Sequence, residues 1–343
     1  MKHEGTEQVR LTLLQLGSAT KAEISGRTGI SFPTVGKVLE RMEQAGELRP
    51  PVLDQSSGGR RALRYTLDPE YRLGMAVYLE ADRTICTVFN LAGEIKEHFR
   101  FPGVLRGGPD QLVEQLASVK ARYPNTAALA VGVPGSVNGG TIFYIPGYAA
   151  YAGLYLKGFC ERKLGLETVV ENDMNAAALG YLDSGNAGDD RTVVYLYIGP
   201  NGPGAGIVAG GSVLRGSTLF AGEIGFLPLS GDENFHDRVG EAAGAGDTPP
   251  RLTGSEPRIA AAGRLVAVLA SILNPHDVVF SKENADAVTL QAIREHAARI
   301  VPEKHLPALS VRVMEEDYLG GLRRLALERM LAGGDRPVHF LEE

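Results

Sequence analysis

The chain of 343 residues contains no tryptophan and only two cysteines, Cys86 and Cys160. Both cysteines lie among apolar residues, which predicts buried free thiols and argues against a disulfide framework. No apolar run is long enough to cross a bilayer, and the N-terminal residues do not have the pattern of a signal peptide. From these absences we expect a cytoplasmic protein that has no membrane partner.

Charge is distributed unevenly along the chain. The net charge is −6, yet residues 21–64 contain eight lysines and arginines against five acidic residues, a local net charge of +3. The remainder therefore carries −9. A basic segment on an acidic body is compatible with binding of nucleic acid through one face only.

Residues 20–48 have the pattern of two short helices joined by a tight turn. Thr20 and Glu23 have the S/T-x-x-E spacing of a capping box, and Gly29 can adopt the positive φ of a turn. A second helix is expected to start at Ser31, because Pro33 is tolerated in a first helical turn. Its apolar residues recur at helical spacing and predict one buried stripe, formed by Val35, Val38, Leu39 and Met42.

The opposite face of this second helix is small, polar and basic, and it comprises Ser31, Pro33, Thr34, Lys37 and Arg41. Such a face on the second of two short helices is typical of a helix-turn-helix, in which that helix lies in the DNA major groove. The alternative is a generic helical hairpin in an interaction domain. Two expected strands, 48–53 and 62–67, enclose a glycine-containing loop that carries Arg60 and Arg61. We interpret this loop as a wing that contacts phosphates or the minor groove, and a solvated basic loop is the alternative.

Beyond residue 70 the pattern changes to strands and helices. Three strands are expected first, at 73–79, 84–90 and 94–101. The alternating helices and strands that follow them are typical of a ribonuclease H-like lobe. A second, similar pattern starts at residue 191, with a glycine-rich loop at 199–206 and a polar surface excursion at 230–255.

These patterns predict an α/β protein with an N-terminal winged helix-turn-helix and two lobes that enclose a ligand cleft. The expected bounds are 1–70 for the winged helix-turn-helix, 71–190 for the first lobe, which a C-terminal helix within 319–343 could join, and 191–318 for the second lobe.

Several segments together resemble the ROK family of sugar kinases and sugar-responsive repressors. They are TGISFPTVGKVLERMEQAGEL, GGRRALRYTL, VGVPGSV, ENDMNAAALGYL and GAGIVAGGSVLRGSTLFAGEIGFLPL. The resemblance implies two ribonuclease H-like lobes of the actin/hexokinase type with a sugar bound between them. It also implies that Asn172, Asp173 and Glu223 contact the sugar, with Asp173 matching the general base of the kinases. The residues alone leave two alternatives open, an Asp173 that only caps its helix and a Glu223 that is a solvated loop carboxylate.

The chain departs from the family pattern at the positions that the kinases use for ATP. The segment GMAVYLEADRTICTVFN lacks their D-x-G-x-T motif, and Pro200 and Pro203 interrupt the second phosphate loop. Prolines remove N–H donors that such a loop needs. Ser281-Lys282-Glu283 stands in place of a glycine pair. We therefore predict no enzymatic activity and no cofactor, with a sugar kinase as the rival interpretation.

The family's zinc site is also missing from the sequence. Phe226 occupies the position of a zinc-binding histidine, and no cysteine follows it, so we expect no metal. We predict a cytoplasmic ROK-type regulator, a repressor of carbohydrate-related genes, that binds a double-stranded DNA operator as a homodimer or higher homo-oligomer. A sugar or sugar derivative between the lobes would control it. The rival is a regulator that has lost its effector and keeps the body as a dimerisation scaffold.

Overall fold

The computed structural model describes residues 2–54, 62–145, 147–186, 190–199, 202–240 and 250–332. Its N-terminal part is a helical unit with a core of its own. The remainder is a mixed α/β structure that contains two five-stranded sheets. No helix in the described ranges is long and apolar enough to span a bilayer. Cys86 and Cys160 are buried free thiols, as predicted, and burial raises the pKa of each to about 12.

The N-terminal unit packs three helices against a small antiparallel sheet. The helices are α1 (Lys2–Leu16), α2 (Lys21–Thr28) and α3 (Phe32–Gln44), and the strands are β1 (Ala19–Thr20), β2 (Val52–Leu53) and β3 (Leu63–Tyr65). The capping box forms as predicted, because the Thr20 hydroxyl accepts the Glu23 N–H while the Glu23 carboxylate accepts the Thr20 N–H. Gly29 then ends α2 at a φ of +71°. The two strands expected at 48–53 and 62–67 are shorter, and the bridge between Leu48 and Leu67 extends their pairing, as do the hydrogen bonds from Arg49 to Thr66 and from Asp54 to Ala62.

Helix α3 buries the predicted stripe and leaves its other face free. Val35, Val38, Leu39 and Met42 are each at most 2% exposed and belong to the core of the N-terminal unit. The helix ends in a Schellman arrangement, in which the Glu47 N–H donates to the Met42 carbonyl.

The first large sheet combines an antiparallel meander with two parallel strands. Its order is β11-β7-β4-β5-β6, and β7 and β11 run parallel to β4. The strands are β4 (Leu73–Leu79), β5 (Arg83–Asn90), β6 (Ile95–Pro102), β7 (Thr126–Val133) and β11 (Glu167–Asn172). Helices α4 (Pro109–Arg122) and α5 (Leu156–Leu164) flank this part, together with a small sheet of β8 (Ser136–Asn138), β9 (Thr141–Tyr144) and β10 (Leu154–Tyr155).

The second large sheet repeats this connectivity with the order β14-β13-β12-β17-β18. Its strands are β12 (Val193–Gly199), β13 (Gly202–Ala209), β14 (Ser212–Val213), β17 (Asp277–Ser281) and β18 (Ala308–Arg312). The hairpin of β15 (Pro228–Ser230) and β16 (Glu233–Asn234) and helices α7 (Phe235–Gly240), α8 (Glu256–Ile272) and α9 (Ala287–Ala298) complete this part.

Two expectations for the second part were wrong. The glycine-rich loop expected at 199–206 is largely strand β13, whose glycines allow close packing on helix α6 (Asp173–Tyr181). A Cβ at Gly206 would lie 2.0 Å from the Met174 carbonyl oxygen. The excursion expected at 230–255 contains β16 and α7, and Phe235 and Val239 of α7 are buried in the core. Residues 241–249 of that excursion lie outside the described residues.

Helices α6 and α10 (Met314–Ala332) lie in the core that the two large sheets share. This core includes Tyr78 of the first sheet and Tyr195 of the second. Helix α10 packs on β4 and β7 as well as on α6. It starts at Met314, five residues before the Leu319 expected from the apolar pattern, and its first turn is acidic.

Candidate functional site

A pocket opens where β8, the N-terminus of α6, β13 and the segment 215–223 meet. Its cavity volume is about 70 Å³. Its polar lining comprises Ser136, Asn172, Asn175, Arg215 and Glu223. Asn172 and Glu223 therefore lie in one pocket, whereas Asp173 follows Asn172 in the chain but does not line it. A pocket with a few convergent polar groups is the usual form of a small-molecule site.

Asn172 is positioned by the helix that it starts. Its side-chain oxygen accepts the Asn175 N–H at 3.0 Å, so Asn172 is the N-cap of α6. Its amide nitrogen donates to the Gly135 carbonyl at 3.1 Å and to the Asp173 carboxylate at 2.8 Å. The alternative that Asp173 is the N-cap of its helix was therefore wrong.

The Asp173 carboxylate is enclosed next to this cap. Burial raises its pKa to about 6, although hydrogen bonds from the Met174 N–H and the Asn172 amide favour the ionised form. The charge of Glu223 adds to the upward shift. A carboxylate with a pKa near neutrality can accept a proton or a hydrogen bond from a hydroxyl group.

Glu223 is an exposed residue at the pocket wall. Its backbone starts a 3₁₀ turn over Ile224–Phe226, and desolvation raises the pKa of the side chain. Among the described residues its carboxylate has neither a hydrogen-bond partner nor an ion-pair partner. Because Glu223 is exposed, the structure leaves the alternative of a solvated loop carboxylate open.

Sequence reasoning missed an ion pair that forms another wall of the pocket. Arg215 binds both oxygens of Glu171 with its two terminal nitrogens, and one of these contacts measures 2.9 Å. Glu171 is 3% exposed and also accepts the side-chain N–H of Asn175. Glu171 and Asn175 lie within the ENDMN motif, but Arg215 is 44 residues away from Glu171 and only the fold brings it there.

Carboxylates and tyrosines occupy the region in which the kinase motifs are missing. At the turn between β4 and β5, Glu80 pairs with Arg83, and Arg83 also lies 3.7 Å from Glu315. The Tyr78 hydroxyl donates to Glu315 at 2.5 Å. Burial, followed by the charge of Glu283, raises the pKa of Tyr197 well above its usual range. In the part of the chain that the structure describes, no group of three or more histidine, cysteine or acidic side chains could hold a metal ion.

The polar and basic face of α3 is exposed along its whole length. The solvent-accessible side chains include all five singled out from the sequence, Ser31, Pro33, Thr34, Lys37 and Arg41. The Ser31 hydroxyl bonds to the Thr34 hydroxyl at 2.8 Å instead of capping the backbone. Phe32, which the sequence analysis did not single out, is 54% exposed at the first residue of α3. Arg60 and Arg61 lie outside the described residues.

The N-terminal unit is joined to α10 through buried polar contacts. Arg10 binds both carboxylate oxygens of Glu47, at 2.8 and 2.7 Å, and donates to the Leu331 carbonyl at 3.1 Å. Arg72 donates to the Met330 carbonyl at 3.1 Å. The C-terminal turn of α10 is therefore tied to α1 and to the segment that leaves the N-terminal unit.

Comparison with known proteins identifies relatives that are named as xylose repressors. A Caldicellulosiruptor sp. (strain Rt8B.4) protein named "Putative xylose repressor" is 29% identical over 238 residues, which cover 66% of this chain and 58% of that protein. The xylose repressor of Caldicellulosiruptor bescii is 24% identical over 302 residues, 83% of this chain and 72% of that repressor. This chain thus spans little more than half of the first relative.

Solved structures share the fold of this chain. The structure of a ROK family transcriptional regulator, described as a homolog of the E. coli MLC protein, superposes with a TM-score of 0.72 at 17% identity. The match covers 96% of this chain and 98% of the regulator. ROK kinases are also among the structures with this fold. The sequence profile of the ROK family matches residues 75–247, which is half of the chain, so this protein belongs to the ROK family.

Proposed function

We propose that this ROK protein is a DNA-binding transcriptional regulator, a repressor of carbohydrate-related genes, and that a sugar or sugar derivative in the pocket controls it. The observation that carries the proposal is the combination of two surfaces in one chain. One is the exposed polar and basic face of α3, and the other is the pocket that the Glu223 carboxylate lines without a partner among the described residues. The xylose repressors among the relatives support the same function.

On this proposal residues 1–70 form a winged helix-turn-helix that reads an operator. Helix α3 enters the major groove with Ser31, Pro33, Thr34, Lys37 and Arg41 near the bases, while Arg60 and Arg61 contact phosphates or the minor groove. Residues 71–190 together with α10 and residues 191–318 form two ribonuclease H-like lobes. The body forms a homodimer, so that two heads match a two-fold symmetric operator.

The pocket binds the sugar through groups that suit hydroxyls. Asn172 offers the second lone pair of its amide oxygen, because both amide N–H groups already donate to Gly135 and Asp173. Glu223 offers a carboxylate acceptor that has no partner among the described residues. Asp173 acts through its contact with the Asn172 amide. Sugar binding changes DNA affinity only to the extent that it favours one of two states of the protein.

We infer that the chain does not act as a kinase, although ROK kinases share its fold. Glu80 and Glu315 flank Arg83 at the turn where a phosphate site would need open N–H donors, and Glu283 stands near Tyr197. These carboxylates would repel the phosphates of ATP. Purified protein is expected to phosphorylate none of the common hexoses or pentoses, and sugar-dependent release of ADP would contradict this.

The function is tested with duplex DNA selected by the protein from a random library. Binding to the selected duplex is measured by fluorescence anisotropy at several salt concentrations, with and without each member of a panel of sugars, amino sugars and sugar phosphates. The expected result is sequence-specific, salt-dependent binding that one class of sugar weakens. Absence of sequence-specific binding would overturn the proposal. Specific binding that no member of the panel alters would favour the scaffold alternative.

A further inference from the structure

Two exposed phenylalanines contact each other beside the pocket carboxylate. Phe220 is 54% and Phe226 is 66% exposed, and their ring centroids are 5.3 Å apart with the planes tilted by 45°. The Glu223 N–H donates to the Phe220 carbonyl at 3.3 Å, and the Phe226 N–H donates to the Glu223 carbonyl at 3.2 Å. Glu223 is the last residue of the first turn and the first residue of the second. The two turns therefore place Phe220 and Phe226 on either side of Glu223.

The segment that carries the two rings is fixed by the sheet beneath it. The Ala205 N–H of β13 donates to the Gly222 carbonyl at 2.9 Å, and a Cβ at Gly222 would lie 2.1 Å from the Ala205 oxygen. Leu219 adopts a φ of +63°, a backbone conformation that is uncommon for a residue other than glycine. Such strain is typical of functional segments that the surrounding structure holds in place. The exposure of the rings is therefore a property of an anchored segment.

The phenylalanine pair, Phe220 and Phe226, adjoins the segment that lines the pocket, although neither residue is part of the lining itself. Leu219, Ala221, Gly222 and Glu223 all line the pocket, and Phe220 lies within this run. Sugar rings have polar edges that carry hydroxyls and faces of C–H groups. The polar pocket suits the edge of one ring, and exposed aromatic rings next to it suit an apolar face or a second ring.

We propose that the pocket and the phenylalanine pair form a single binding site for a glycoside larger than a monosaccharide. Its first ring bonds to Asn172 and Glu223, and its second ring, either another sugar or an aryl aglycone, lies on the phenylalanine pair. This inference rests on the proposed function, in which the pocket binds a sugar. It names the ligand class as a glycoside with a second ring.

The test compares matched glycosides by isothermal titration calorimetry on the full chain. The probes are the methyl and phenyl glycosides of glucose, xylose and galactose, together with cellobiose and xylobiose. For the sugar that binds, the phenyl glycoside or the disaccharide is expected to bind about five- to tenfold tighter than the methyl glycoside, the gain that an added aromatic contact gives. A gain limited to the disaccharide identifies a sugar as the second ring, and a gain limited to the phenyl glycoside identifies an aryl group.

Variants connect this gain to the two rings. Phe226→Ala and Phe220→Ala are each expected to reduce the affinity of the two-ring glycoside to that of the methyl glycoside. Ile300→Ala, which truncates a 58% exposed side chain after α9, is the control and is expected to change neither affinity. Phe226→Leu retains an apolar surface without a planar ring and is expected to lose most of the gain.

The outcomes separate this inference from the function on which it rests. Equal affinities for methyl, phenyl and disaccharide ligands would overturn the two-ring site and leave the sugar-controlled regulator intact. No binding by any of these glycosides would overturn the two-ring site, whereas the proposed function is decided by the DNA-binding test with the wider sugar panel. If Phe226→Ala instead converted an oligomer to a monomer in light scattering and left the glycoside affinities equal to those of the unchanged protein, the phenylalanine pair would be a subunit contact and the inference would be wrong.

Discussion

At the scale of one residue, the raised pKa of Asp173 predicts how the stability of the protein depends on pH. Its pKa of about 6 lies above the ordinary value, so its contribution to stability is complete below pH 4 and is lost as the pH rises through 6. Asp173→Asn retains an acceptor for the Met174 N–H but cannot ionise. The variant should be more stable than the unchanged protein at pH 8, by at most about 3 kcal/mol, and should lose this advantage near pH 4. Urea unfolding at pH 4, 6 and 8 measures the difference.

Asp286 provides a control of opposite sign for the same experiment. It caps α9 by accepting the Thr289 N–H, and this hydrogen bond lowers its pKa. The stability that this carboxylate contributes is present above its unfolded pKa and is lost as the pH falls through the folded value. Asp286→Asn should therefore be less stable than the unchanged protein at pH 8, with a gap that narrows in acid. A pH-independent gap for Asp173→Asn would show that its pKa is not raised.

Lys37 tests how α3 docks on DNA. It is exposed on the face opposite the buried stripe, one turn after Thr34. If the ammonium group contacts a base, Lys37→Ala should weaken binding to a selected duplex by about 1–3 kcal/mol. If it contacts a phosphate, the loss should be smaller and the DNA affinity should depend less steeply on salt concentration. Lys304→Ala removes another exposed lysine, from the second part of the body, and should leave DNA affinity unchanged. If Lys37→Ala and Lys304→Ala bound the duplex with the same affinity, the docking model would be wrong.

At the scale of elements, the crossing of α6 and α10 depends on glycine. A Cβ at Gly321 would lie 1.8 Å from the Ala176 carbonyl oxygen, whereas a Cβ at the neighbouring Gly320 would lie 3.5 Å from its nearest atom, in Gly180. Gly321→Ala should therefore destabilise the protein by about 1–3 kcal/mol through overpacking. Gly320→Ala should be neutral or slightly stabilising, because alanine favours a helix. Chemical denaturation of the two variants, with coincident probes for both sheets, measures this contrast.

The elements also show what can be predicted from the sequence and what cannot. The capping box at Thr20 and the stripe from Val35 to Met42 were confirmed, because local hydrogen bonding and helical spacing determine them. The loop expected at 199–206 was wrong, because its glycines serve close packing of β13 on α6 and not a turn. That reason is tertiary, and glycine content alone does not reveal it.

The pocket likewise contains some residues that the sequence could identify and others that only the three-dimensional structure brings together. Asn172 and Glu223 were placed in one cleft by a motif resemblance, and both line the pocket. The pair of Arg215 with Glu171 was not predicted, because neither residue has a local partner that marks it. The contact of Arg10 with Leu331 spans 321 residues and was equally invisible. Contacts of this kind arise only when the packing of whole elements is known.

At the scale of the whole molecule, α10 connects the two large sheets, which its first turns contact, to the N-terminal unit, which its last turn contacts. At its start, Asp317 accepts hydrogen bonds from Arg312 and from Tyr195 of the second sheet, and Glu315 accepts one from Tyr78 of the first. At its end, Leu331 and Met330 accept hydrogen bonds from Arg10 and Arg72. A change in how the two sheets sit around the start of α10 would therefore reach the N-terminal unit through this one helix.

If the proposed function holds, this connection predicts that removing the Arg10 contact weakens the coupling between sugar binding and DNA binding. A single change at Arg10 would leave the buried Glu47 charge unpaired, at a cost of about 3–5 kcal/mol, so the informative variant replaces both residues, Arg10→Met with Glu47→Leu. Coupling is the ratio of DNA affinities without and with the sugar, and typical allosteric systems show about 5–150-fold. We expect the ratio to fall towards one in this double variant.

The matched control, Arg122→Met with Glu97→Leu, removes a partly exposed ion pair away from α10 and should preserve the ratio. A ratio that stays unchanged in both double variants would mean that the sugar acts on DNA affinity by another route, such as the arrangement of subunits, and not through the end of α10.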